Sequence, residues 1–136
     1  MGISSDAILA YGYDLGEDFY TEDKVEGYDV VYHLTDKLLA SFVGFTDEWT
    51  VEDTTFWKRK GEAQKLLGLE VITHCSYDYP MYFLATTSTW ASRGSPERIE
   101  SLEVNPMWDD RLATALKVLG IEPKEKFGWH LFSVMG

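Results

Sequence analysis

The densest run of reactive side chains is His74-Cys75-Ser76-Tyr77-Asp78. A cysteine nucleophile needs a base close enough to draw off its proton. The flanking residues are β-branched and aromatic, and on a strand His74 and Cys75 point to opposite faces, so the adjacent histidine does not serve the thiol. Cys75 therefore reads as a small hydrophobe shielded within a sheet. His33, His74, Cys75 and His130 show none of the paired spacings of zinc sites. A calcium loop counted from Asp14 puts Phe19 where glycine is required and Val25 where a bidentate glutamate is required. No metal site is expected, and because Gly12 and Gly16 sit in no phosphate-binding glycine pattern, no cofactor is expected either.

A second group is defined by charge. The 136-residue chain carries 12 Lys and Arg against 23 Asp and Glu, a net charge of −11. Residues 1–30 hold eight of those acids against Lys24 alone, a net −7. Within them Glu17, Asp18, Glu22 and Asp23 surround Phe19 and Tyr20, which joins a field that steers basic partners to apolar anchors that hold them. Trp49 falls beside a loop and is a further candidate anchor, although Trp49 and Trp90 would serve equally as satellites of the core. The expected partner is thus a protein with a basic surface. The same charge repels phosphate backbones and anionic lipid. Trp57-Lys58-Arg59-Lys60 is the only basic cluster, and one helical turn is too small a footprint for nucleic acid, so it reads as a solvated helix face. The runner-up is a small enzyme or ligand-binding domain with a pocket near the N-terminal loop, lined by Tyr11, His74 and Tyr82.

The elements that must position these groups follow from composition and periodicity. Hydrophobic residues make up 45% and charged residues 26%, ordinary globular usage that fits one domain over 1–136. The lone cysteine, the absence of a basic-then-apolar leader and the lack of an apolar run near 20 residues give a cytoplasmic expectation with no membrane span. Residues 3–13 alternate as a strand and 15–27 read as a loop. Val31, Leu34, Leu38 and Phe42 recur at helical spacing. A second helix carries Phe56 or Trp57, Ala63, Leu66 and Leu67 and stops at Gly68. LEVITHCSY and PMYFLATTSTW read as a hairpin. Asn105-Pro106 opens a third helix with Trp108, Leu112, Ala115, Leu116 and Leu119 on one face, and WHLFSVM closes the chain as a strand. The fold expected is α+β: a four-stranded antiparallel sheet with helices on one face, in βαββαβ (ferredoxin-like) order with two helices in the first crossover. The strands around Ile8 and Phe83 are the least polar and are expected side by side in the middle.

The segments AILAYGYDLG, THCSYDYPMYFLAT and FGWHLFSVMG together resemble a group of small uncharacterised proteins from tailed phages of actinobacteria, over most of the chain. That group has no assigned activity to carry onto particular residues. The resemblance implies a phage accessory protein made in the bacterial cytoplasm, one that binds a host or phage protein without catalysis, inhibits it, or mimics nucleic acid.

Overall fold

The computed structural model of the chain describes residues 5–16, 29–76 and 79–135. The elements run β1 (Ser5–Gly16), α1 (Asp29–Phe42), α2 (Phe56–Leu67), β2 (Glu70–Ser76), β3 (Pro80–Ser92), α3 (Met107–Leu119) and β4 (Gly128–Met135). The helix stops behave as their residues dictate. Gly68 and Gly120 adopt φ of 66° and 73°, the left-handed conformation that closes a helix without a Cβ penalty. The Ile121 N–H returns to the Leu116 carbonyl at 2.8 Å. At the start of α3 the Asn105 side chain accepts the Met107 N–H at 2.9 Å, so Asn105 caps the helix although its first residue is Met107.

All three helices send side chains to one core against the sheet. Val30, Leu34, Leu38 and Leu39 of α1, Ala63 and Leu67 of α2, and Leu112, Ala115 and Leu116 of α3 meet Tyr11, Tyr13, Val71, Tyr82 and Leu84. Two helical faces differ from expectation. On α1 Val30 and Leu39 join Leu34 and Leu38 in the core, while Val31 and Phe42 are only half-buried. On α2 Phe56 points inward, Trp57 outward, and Leu66 is 73% exposed. Arg111 of α3 donates to the Leu67 carbonyl, joining α3 to the end of α2 where free carbonyls and the helix dipole favour a cation.

The sheet is mixed and closed, with order β1-β3-β2-β4, and this corrects the open, wholly antiparallel expectation. β1 and β3 are neighbours, antiparallel from Asp6↔Ser92 to Gly16↔Tyr82. β1 also pairs antiparallel with β4, and β2 with β3. The closing pair, β2 with β4, is parallel and spans only Cys75↔Val134 and Ser76↔Met135. Three reversals and one parallel step cannot be met by four strands that share an axis. The right-handed twist, roughly 20–25° per strand step, resolves this by bringing diagonal corners of the sheet together, so that β2 and β4 touch only at their ends. The curled face encloses a second core of Ile8, Ala10, Ile72, Phe83 and Ala85, with Phe132 and Val134 against it.

One row crosses all four strands: Glu70 opposite Ala85, Ala85 opposite Gly12, Gly12 opposite Gly128. A register shift between Tyr11 and Gly12 leaves Thr86 as the extra residue of β3, and its hydroxyl donates to the Tyr11 carbonyl at 3.1 Å. A Cβ placed on Gly12 would lie 1.8 Å from the Leu84 carbonyl oxygen. Backbone cannot swing aside as a flexible side chain does, so Gly12→Ala is expected to cost roughly 3 kcal/mol or more. Gly61, in the middle of α2, has nothing within 4 Å of a built Cβ, so Gly61→Ala should stabilise by about 1 kcal/mol. Urea unfolding of the two variants checks both signs, and a Gly12→Ala protein as stable as wild type refutes the close-approach account.

Candidate functional site

Trp49 lies between α1 and α2 in residues 44–55, and the local sequence explains its posture. Asp47, Glu48, Glu52 and Asp53 flank Trp49 and Val51 with no basic residue among them. Phe45 anchors the front of the segment, its ring 6.0 Å from that of Phe56 and its N–H on the Leu39 carbonyl. The Asp53 carboxylate accepts the Thr55 N–H at 3.1 Å, which leads the chain into α2. Arg59 then reaches back from the first turn of α2 and pairs with both Asp47 and Asp53. A planar guanidinium with separate donors can hold two carboxylates at once, so the loop is tied at both ends by one side chain. Trp49 and Val51 stand out between the ties, 57% and 76% exposed.

Beside the loop, Lys60 is 7% exposed, which corrects the solvated-face reading at that residue, while Trp57 and Lys58 are exposed as expected. Its ammonium sits 2.8 Å from Asp36 Oδ1 and 5.6 to 5.8 Å from the ring centroids of Trp57, Phe56 and Tyr32. A cation over π faces is attracted by their quadrupoles. Lys60 thereby holds Tyr32 and Trp57, both more than half exposed, about one ammonium. Two of the three clustered cations, Arg59 and Lys60, are thus engaged by the protein's own carboxylates. The loop leaves Glu48, Trp49 and Glu52 to solvent, and Tyr32 and Trp57 are exposed around Lys60. The sequence signal for it was GFTDEWTVEDTT, four acids around two large apolar residues; Tyr32 and Trp57 carried no comparable signal.

The other expected partner-binding residues, Glu17, Asp18, Phe19, Tyr20, Glu22 and Asp23, lie outside the described residues. Tyr11, His74 and Tyr82 are buried but not gathered into one pocket. Tyr11 and Tyr82 face the helices, whereas His74 lies on the curled face, its ring 4.6 Å from Phe132 and its Nε2 3.4 Å from Asp14 Oδ1. A cleft of about 560 Å³ does open between α1, α2 and β2, but Val31, Thr35, Gly61, Gln64, Lys65, Leu69, Glu70 and Val71 line it. Cys75, expected to be shielded, is exposed and holds φ of 71°, because β2 bends there to reach β4. No group of three His, Cys, Asp or Glu that could hold a metal ion occurs among the described residues. Among them no helix is long and apolar enough to cross a membrane.

Tyr11 is instead a structural clamp. Its hydroxyl donates to Asp109 Oδ1 at 2.6 Å, and its ring packs 5.3 Å from Trp108 and 5.5 Å from Trp129. The hydrogen bond to Asp109, then burial, then the negative charge of that carboxylate push the Tyr11 phenol up to about 12. Burial also raises the Tyr82 phenol. An unfolded tyrosine loses its proton near pH 10, so the clamp's contribution is complete below about pH 10 and is lost as pH rises through about 12. Tyr11→Phe should cost about 1–2 kcal/mol at neutral pH, with the gap to wild type closing between about pH 10 and 12. Urea unfolding across that range checks it; a gap independent of pH speaks against the clamp. No family model, curated protein or solved structure is similar enough to this chain to register as a match.

Proposed function

We propose that this chain is a non-enzymatic phage accessory protein that works in the bacterial cytoplasm by binding a basic surface of a host or phage protein, inhibiting that partner or mimicking nucleic acid. The observation that carries the reading is Trp49, a large aromatic side chain 57% exposed on an acid-lined loop that Arg59 ties at both ends. An exposed tryptophan on a braced support costs little entropy to dock, and such residues dominate binding energy at interfaces. The acids around it supply steering and selection against acidic partners. The acids of residues 17–26 extend the same charge preference, and the phage context comes from the resemblance of the three strand segments.

The test is capture from actinobacterial lysate on the immobilised chain, followed by binding kinetics with the protein recovered. Trp49→Ala should weaken that partner by about 2 kcal/mol, near thirtyfold in Kd, chiefly through faster dissociation. Glu48→Gln with Glu52→Gln should slow association and flatten its salt dependence, because exposed charges are screened beyond about 8 Å at physiological ionic strength. The set Glu17, Asp18, Glu22 and Asp23 to Ser measures the share of the N-terminal acids in the same on-rate. A partner bound equally well by Trp49→Ala and by both acid variants rules the reading out.

A further inference from the structure

We propose that the outer edge of β3 is a dimer interface at which two copies of this chain pair antiparallel about a two-fold axis through Thr89. From Pro80 to Ala85, β3 has β2 on one side, but from Thr87 to Ala91, among the described residues, its strand partner is β1 alone. At the far end the chain turns back and Ser95 bridges Ser92. Residues Thr87 to Ala91 are left with one row of backbone N–H and C=O groups that, among the described residues, enters no strand pairing. Such an edge is a template for another strand, and monomeric proteins blunt it with charges, proline or a twist-inducing bulge. From Met81 to Ser92 there is no charged residue and no proline, in a chain that is 26% charged. The bulge lies at Thr86, at the entry to the free run rather than within it. On the outer edge of β4, β2 meets only Val134 and Met135, and the segment after β3 comes back to the start of that strand, where the Trp129 indole donates to the Leu102 carbonyl at 3.1 Å.

Charge and symmetry select the second copy as the occupant. At −11, two chains repel each other over most of their surfaces, whereas this strand carries no acid of its own and the carboxylate that reaches it, that of Glu70, is held by the Ser88 hydroxyl. In an antiparallel pair, hydrogen-bonded and non-hydrogen-bonded positions alternate, so a two-fold axis must pass through a residue that faces its own counterpart. The midpoint of the five-residue run is Thr89, which sets Thr87 opposite Ala91 and Ser88 opposite Trp90. Thr–Thr is a favourable cross-strand pair. Trp90 is 43% exposed, and it shares a face with Ser88, whose hydroxyl donates to Glu70 Oε1 at 2.6 Å. Pairing therefore lays each Trp90 against the other copy's Ser88 and its already hydrogen-bonded carboxylate. The three strands β4, β1 and β3 then continue into the same three of the second copy.

Sedimentation equilibrium of the full chain over roughly 1 to 500 μM tests this, with the dimer expected at twice 15.6 kDa. Thr89→Lys places two like charges face to face on the axis and should raise the dissociation constant at least about tenfold, as should Thr89→Glu. Mixing the two should restore association, since the opposed charges now attract. Thr87→Lys provides the same test one position off Thr89 if either variant folds poorly by circular dichroism. Wild type that stays at 15.6 kDa throughout, or Thr89→Lys and Thr87→Lys that dimerise like wild type, overturns the proposal. Trp49→Ala should dimerise normally, so failure here is distinguishable from failure of the loop reading.

Discussion

The close approach of β1 to β3 at Gly12 is the constraint on which the rest of the architecture hangs. At that row all four strands meet, and from it β2 and β4 depart in opposite directions along the sheet. Because each covers only part of the length of the central pair, the four strands stand abreast at that row alone. The twist can then bring the free corners together at Cys75 and Val134, and the face turned away from the helices is buried by the sheet itself. A side chain at residue 12 would push β1 off the Leu84 carbonyl and remove the curl that this inner core requires. One residue without a Cβ thus lets a small domain bury both faces of a sheet with helices on only one of them.

Much of this was legible in the chain. The alternation of residues 3–13, the helical spacing of Leu34 and Leu38, the Asn105 cap and the Gly68 and Gly120 stops are local signals, and local physics decides them. The adjacency of β1 and β3 followed from their apolar content. Closure could not be read, because it depends on accumulated twist and on a bulge at Thr86 whose residue type is ordinary for a strand. Cys75 shows the same limit. Its apolar flanks argued for shielding, but the bend that carries β2 to β4 turns the residue outward.

The candidate site was legible in part for a different reason. Trp49 stood out as a tryptophan beside a loop, with anchor and core satellite equally open, because its setting depends on a cation ten residues away, and spacing does not say which acids Arg59 selects. Lys60 was misread because a lysine in a basic run is ordinarily solvated. Three rings and Asp36 replace its water, a combination visible only once α1 and α2 are side by side. The ion pairs of Arg59 and Lys60 also occupy Asp47, Asp53 and Asp36, so Glu48 and Glu52 are the loop carboxylates beside Trp49 that stand outside them.

The pairing of β1 with β4 has a temporal side. Its partners are separated by 116 residues at Gly12 and Gly128, and by 130 at Ser5 and Met135. Contacts of such sequence span are slow to form, because the chain entropy of closing the loop is lost before the pairing is gained. During synthesis β1 emerges long before β4, so Ile8 and Ala10 wait without the strand that seals their side of the inner core. The helical layer and the β2–β3 hairpin can assemble first, which leaves β4 as the late step that converts a half-covered sheet into the closed one. Until then the nascent chain shows sticky backbone to its surroundings, and its high negative charge is what keeps neighbouring nascent copies apart.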